Sequence, residues 1–441
     1  TQLGTQDTGT TAASVTPAPG SSPPAIASPA PVGEPSPEAA WASFTADDLP
    51  VVPKSRVAKP PTPLPAKPHG PPRKLPVKFL AVAAAGGLLA AVAFGLAVAL
   101  WPRGHGTGPA EPGAWYVSRS GTGPDATRTL KTLAGALDRA GPGETVYLLD
   151  AEMDDLPVRL SDAGKGTKSG VTLRPGPGLD AVRWTPRHGG KAAGPALELA
   201  YTDSVTVRGL DIDLQGFGEC GVAASSTSPG LRVEGVTVLN PRVSGFRFQG
   251  VKATAERPAT LRGCRVTGAT RYQAGVSVVS GASHLDLIDN RLEGPAEFGV
   301  ELHGHADAVE LRGNRVWQCD TALSLGGKLL ADRPYRVQFA HNTVLGATDA
   351  AVRCTHPLTG RQELDLDHNY FASTPVLLKG VTGTPPGLKA TGNARDAASK
   401  DDNQVKAEIL PPTPPLSTDV NNDAAFLRSP SVGMYGSQPG R

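Results

Sequence analysis

The 441-residue sequence predicts an all-β fold: a right-handed parallel β-helix solenoid, preceded by a disordered Pro-rich tail and one transmembrane helix. Three observations carry the solenoid. One motif recurs seven times between Val205 and Phe371 at intervals of 24 to 28 residues: two alternating apolar residues, a short turn, then another apolar residue. A second apolar column runs through the same stretch, and the turn of the last four copies falls on Asn. A fixed period of this length marks stacked structural repeats and has to be recognised before any other feature.

The copies read VTVRGLDI, LRVEGVTV, TLRGCRV, LDLIDNRL, VELRGNRV, VQFAHNTV and LDLDHNYF, with Leu210, Val236, Cys264, Asn290, Asn314, Asn342 and Asn369 at the turn. The second column is Leu197, Val222, Phe246, Val276, Val300, Leu323, Val352 and Val376, inside runs such as GFRFQG and GVELHG. Side chains alternate between the two faces of a strand. Valines and leucines are therefore expected to fill a bore while Arg, Thr, Glu and Asp point outward, with two or three strands in each coil.

The Asn column resembles the asparagine ladder of the pectate-lyase-like β-helix superfamily. The resemblance implies a structural role for Asn290, Asn314, Asn342 and Asn369, and no catalytic one. Asn suits a tight turn because it tolerates left-handed backbone angles and its amide can bond the turn above or below. Leu210, Val236 and Cys264 in the earlier copies predict a ladder that is incomplete at its N-terminal end.

Upstream, residues 1–77 are rich in Pro, Ala, Ser and Thr and lack apolar periodicity, the composition of a disordered segment. Residues 78–102 contain the uncharged run from Phe79 to Trp101, which at roughly 20 residues per span is long enough to cross a bilayer. Lys54, Arg56, Lys59, Lys67, Arg73, Lys74 and Lys78 precede it and only Arg103 follows closely, so the N-terminus is expected in the cytoplasm and the β-helix outside. Gly86, Gly87 and Gly95 do not form the GxxxG spacing of paired spans.

Residues 103–113 form a short linker, and 114–380 the β-helix with a helical cap at its entrance. The segment from Ala114 to Asp150 is similar to the entry of the same superfamily. Leu130, Leu133, Ala134 and Leu137 predict a helical stripe after the candidate caps Thr127 and Thr129, stopped by Gly141-Pro142-Gly143. Such a helix would plug the open bore. Residues 381–441 are expected to be an irregular tail.

A net charge of +2 singles out no polyanionic partner, and no nucleic acid is expected. Cys220, Cys264, Cys319 and Cys354 fall on different coils and positions, so no disulfide is expected, and the absence of CxxC spacing argues against a zinc site. Neither a metal nor a cofactor is predicted.

In this superfamily ligands lie along the outer face of the strand after the long loop, here the GVELHG strand and its equivalents. The outward residues there include Arg247, Gln249, Glu301, His303, Arg353 and Lys379, the expected ligand-binding set. Glu301 and His303 are the candidate catalytic pair. Arg353 stands two coils from Glu301, about 10 Å along the axis. Glycoside hydrolysis needs two carboxyl groups about 5 to 10 Å apart, and here one strand-borne carboxylate is joined only by the loop candidates Glu219, Glu297 and Asp307. Elimination would call for a base and a carboxylate cluster, which the sequence does not display. A ladder of Arg265, Arg291 and Arg315, balanced by Glu293 and Asp286, is read as surface, and Trp317 and Tyr370 as exposed aromatics.

The order of parts (basic tether, span, exported β-helix) resembles the C-terminal half of a bacterial transmembrane Ser/Thr protein kinase, which implies a kinase domain upstream of Thr1. The kinase motifs themselves are absent from this chain. Three functions follow as expectations: a non-catalytic sensor or carbohydrate-binding module, a cell-surface polysaccharide lyase or hydrolase, and a structural envelope protein.

Overall fold

Alternation of apolar and polar residues at period two, repeated on every coil, winds the chain into a parallel β-helix of about nine turns with very little helix. The computed structural model describes residues 110–409, apart from 163–167, 190–191, 227–228, 305, 328–332, 384, 400–404 and 406. The expected tail, span and most of the linker lie outside the described residues, as do 410–441. Among the described residues no helix is long and apolar enough to cross a membrane.

Each full coil contributes to three parallel sheets. Sheet 1 stacks Val158–Ser161, Leu197–Ala200, Cys220–Ser225 and Ser244–Lys252, then parts of longer strands, and ends at Ala350–Cys354 and Leu378–Lys379. Sheet 2 begins with Thr129–Leu130 beside Trp115–Val117 and runs through Thr145–Leu148 to Leu388–Thr391, and sheet 3 from Glu152–Met153 to Ala394–Arg395 and Glu408–Ile409. Right-handed winding is what the crossover rule for parallel strands requires.

The bore is filled by matching columns. Phe246, Val276, Val300, Leu323 and Val352 stack from sheet 1, Leu261, Leu287, Leu311, Phe339 and Leu366 from sheet 2, and Val266, Leu292, Val316, Val344 and Phe371 from sheet 3. All belong to one continuous buried cluster. The recurrent GV of the sheet 1 strands has a steric cause. A Cβ on Gly245 or Gly299 would lie 2.3 Å from Val266 or 2.4 Å from Val316, so sheet 3 side chains close over bare backbone. Ala322 and Ala351 take that position on later coils.

The ladder forms, and it contains one more rung than the four expected. Asn290, Asn314, Asn342, Asn369 and Asn393 are all buried. The Oδ1 of each of the last four accepts from both the backbone N–H and the Nδ2 of the Asn one coil earlier, at 2.9 to 3.2 Å. Each Nδ2 also donates to a carbonyl, from Leu261 for Asn290 to Leu366 for Asn393. Leu210, Val236 and Cys264 occupy the same column on earlier coils. The left-handed backbone is not at the asparagines. It sits one residue earlier, at Gly209, Gly235, Gly263, Asp289, Gly313, His341, His368 and Gly392, which leaves Asn free to act through its amide.

Two expectations at the ends need correction. The entry helix α1 spans Leu133–Arg139 and is capped by Thr132, whose side chain accepts from the Gly135 N–H, not by Thr127 or Thr129. Thr129–Leu130 pairs instead as a strand with Tyr116–Val117, which delays the helix and turns Leu133, Ala136 and Leu137 inward while Ala134 faces solvent. Those three residues continue the main core, so α1 closes the bore as expected. At the other end, the winding does not stop at 380: Leu388–Thr391 pairs with Gln362–Asp367, and Ala394–Arg395 with Tyr370–Ala372.

Candidate functional site

The outward row of sheet 1 assembles Arg247, Ser277, Glu301, Ser324, Arg353 and Lys379 on successive coils. A second row, one position along, holds Ser225, Gln249, Val279, His303 and Gly326. Lys379 is thus beside Arg353, not in the His303 row, because the last strand starts at Leu378 and Leu378, not Val376, continues the inward column. That two-residue displacement preserves which face Lys379 occupies but moves it along the strand.

Glu301 is half-buried at the centre of the strip. Burial pushes its carboxyl above the ordinary carboxylate range and Glu297 adds to the rise, while His303 and hydrogen bonds from Ser277 Oγ (3.3 Å) and Gln273 Nε2 (2.9 Å) draw it back. His303 is exposed, and its ring lies against Gly327, where a Cβ would come within 3.2 Å of it.

The cations of the strip have acidic partners. Arg247 pairs with Glu219. Asp349 binds Arg353 at 2.5 Å and also Lys379. Burial opposes ionisation of Asp349, but the hydrogen bonds from Lys379 and Arg353 outweigh it and hold its carboxyl below the usual range.

A carboxylate row that sequence reasoning missed runs along the edge of this strip. Tyr272 pairs with Ala296 and Ala274 with Phe298, which sets Gln273 beside Glu297; the next pairings set Asp320 beside Glu297 and Asp349 beside Asp320. The Asp349 N–H donates to the Asp320 carbonyl at 2.8 Å. Asp320 is bound by Arg271 and, at 2.9 Å, by Thr348 Oγ1. The signal was a single acid just before each inward column, scattered through connections of unequal length.

Other candidates fall elsewhere. Asp307 pairs with Ser283 at the entrance to sheet 2 and so leaves the strip. Arg265, Arg291 and Arg315 do stack on sheet 3, with Arg265 bonded to Glu293 at 2.7 Å, whereas Asp286 lies on sheet 2. Trp317 and Tyr370 are buried, not exposed, because neighbouring side chains cover them on sheet 3; the exposed aromatics among the described residues are Tyr201 and Phe217. The four cysteines are buried free thiols, and burial pushes Cys319 and Cys354 up to about 12.

Chemically, the strip sets in a line two largely buried hydroxyls, one carboxyl whose ionisation burial opposes, and three cations that each touch an acidic partner. The next carboxylate on the same row, Glu198, is four coils from Glu301 and bonded to Arg159 at 3.5 Å. At about 4.8 Å per coil it is too distant to act with Glu301 on one glycosidic bond.

No protein-family model matches the chain, and no curated protein matches its sequence. Among solved structures, the chain is similar to an alginate lyase from Paenibacillus sp. (13% identity, TM-score 0.38, covering 58% of this chain and 96% of that one). A polygalacturonase from Erwinia carotovora ssp. carotovora (10% identity, TM-score 0.37) overlaps 68% of this chain and 96% of its own. The catalytic unit of a GH87 α-1,3-glucanase from Streptomyces thermodiastaticus (14% identity, TM-score 0.32) overlaps 69% of each. At these identities and scores, no activity and no residue of those enzymes transfers to this chain, whose β-helical fold rests on its own strand pairing.

Proposed function

We propose that this β-helix is a non-catalytic binding module for an extended, hydroxyl-rich polymer such as a polysaccharide, presented outside the cell by a single-span membrane anchor. The observation that carries the reading is the in-register strip Ser277–Glu301–Ser324–Arg353–Lys379, which repeats polar groups once per coil along the solenoid axis. Solenoids use such extended faces to bind extended partners. Arg353 and Lys379 share the single carboxylate of Asp349 and keep one net positive charge, which suits a weakly acidic glycan over a dense polyanion. The anchor rests on the apolar run from Phe79 to Trp101 and its basic flank. Attachment to an upstream Ser/Thr kinase domain rests on the order of parts alone, and sequencing the coding region before Thr1 tests it.

A second reading, hydrolysis or elimination, is favoured by one observation: a raised carboxyl at Glu301 with Glu297 near enough to contribute to the rise. One experiment separates the two. The full chain is run through gels containing neutral or uronate-bearing polysaccharides, and the same glycans are assayed for new reducing ends and unsaturated products. Retardation without products, weakened by substitution of the exposed Lys379 (Lys379→Ala), supports binding. Products abolished by Glu301→Gln support catalysis, and neither outcome with any glycan ends both readings.

A further inference from the structure

The left-handed turn that precedes the asparagine ladder is Gly on most coils, but on two successive coils it is His341 and His368, at φ 54° and 49°. Their imidazoles stack, with ring centroids 5.3 Å apart and planes 20° from parallel. Asp367, the last residue of its strand, sets Oδ1 2.8 Å from His368 Nδ1 and accepts Thr391 Oγ1 at 2.8 Å. One donor atom from each of His341, Asp367 and His368 lies within 4.8 Å of the other two.

The backbones beneath these side chains are fixed by the fold. The His341 N–H donates to Asp367 O at 2.8 Å and the His368 N–H to Thr391 O at 3.0 Å, and each histidine is followed by a buried ladder residue, Asn342 or Asn369. On the next coil stands Gly392. A Cβ there would meet the His368 ring at 2.7 to 2.8 Å, so the glycine makes the space in which the ring lies.

We propose that His341, Asp367 and His368 form a binding site for a divalent transition-metal ion of the zinc class. Two imidazoles and one carboxylate suit Zn²⁺ or its neighbours, whereas Ca²⁺ and Mg²⁺ take mainly oxygen ligands. Zinc bonds of about 2.0–2.1 Å separate any two ligand atoms by no more than about 4.2 Å, so small side-chain rotations close the observed spread. Thr391 orients Asp367 from outside the ligand set. CxxC spacing is not needed here, because stacking of coils, not spacing along the chain, brings the three residues together. It lies at the corner between sheets 2 and 3, away from the sheet 1 strip, and stands independently of the binding role proposed for that strip.

The test is titration of the full chain with Zn²⁺ by calorimetry and with Co²⁺ by visible absorption, beside His341→Gly, His368→Gly and the isosteric Asp367→Asn. Glycine is native at this position on adjoining coils, so the histidine variants are expected to fold, and melting temperature verifies it. Each substitution is expected to weaken Zn²⁺ at least about tenfold and to remove the d–d bands of bound Co²⁺. A folded double-histidine variant that keeps wild-type Zn²⁺ affinity overturns the proposal. So does a wild-type chain that binds neither ion, and so does equal affinity in Asp367→Asn should the histidine variants not fold.

Discussion

Removing the Asn342 amide strips partners from groups that have no water to turn to: the backbone N–H and Nδ2 of Asn314 and the carbonyl of Leu311. A buried unsatisfied group costs about 1–3 kcal/mol, so Asn342→Ala is expected to destabilise the β-helix by about 2–4 kcal/mol. Thermal unfolding checks this, and a melting temperature equal to wild type would contradict it. Leu210 and Val236 are tolerated in the same column because the residues stacked on them there carry no side-chain amide. Glu301 makes an opposite prediction about charge. Its folded-state carboxyl is raised, chiefly by burial, so the native state binds more protons than the unfolded chain and loses stability as pH rises from the unfolded value through the raised one. Glu301→Gln is expected to remove that loss and to be the more stable chain at neutral pH. Melting temperatures of the two proteins across that titration range should diverge upward with pH; parallel curves would show that Glu301 titrates normally.

At the scale of elements, the entry helix is held at both ends by residues remote in sequence. Asp155 Oδ2 accepts the Leu133 N–H at 2.6 Å, and Lys168 Nζ donates to the carbonyls of Leu137, Asp138 and Ala140, at 2.5 to 3.0 Å. A cation on the last carbonyls satisfies groups that no helical N–H reaches and complements the helix dipole. Lys168→Met is therefore expected to cost about 1–2 kcal/mol, read as faster amide exchange in Leu133–Arg139; unchanged protection there would refute the capping role. Gly299→Val is expected to cost about 1–3 kcal/mol, because its first side-chain atom already falls 2.4 Å from Val316 Cγ1 and 2.7 Å from the Ala322 carbonyl. These elements also show what the sequence could reveal. Strands with strict alternation and a GV start, such as that around Val300, could be placed and aligned from sequence, because a slip of one residue would expose every apolar side chain. The strand at Leu378–Lys379 has neither mark, and a slip of two keeps the same face, so nothing in the pattern fixed it. Asn393 was hidden because its copy of the motif carries Ala390 and Arg395 where the preceding copy carries Leu366 and Phe371. The carboxylate row stayed invisible for a related reason: Glu297, Asp320 and Asp349 become neighbours only once coils of unequal length are stacked.

For the whole molecule, stability is a chain of nearest-neighbour interfaces, and each coil satisfies the one before it. The ladder makes this directional: Asn369 Oδ1 accepts from Asn342, and the Asn369 N–H and Nδ2 in turn need Asn393 Oδ1, at 3.0 Å for each. Sheet 2 is ordered in the same sense, since Leu364 and Leu366 are covered along the axis by Leu388 and Ala390. A chain ended at residue 380, where sequence alone sets the limit of the β-helix, removes that coil, leaves the buried Asn369 N–H unpaired and its Nδ2 with only the Phe339 carbonyl, and uncovers a strand of open hydrogen-bonding groups. Such a truncation is expected to lower the melting temperature and to open the amides of Gln362–Asp367 and Asn369 to exchange, while those of the central coils around Val300 stay protected. The gradient is the decisive readout. Loss of protection spread evenly over all coils would mean that the solenoid unfolds as one cooperative block, and unchanged protection at Asn369 would mean that the coil beyond 380 contributes nothing to the ones before it.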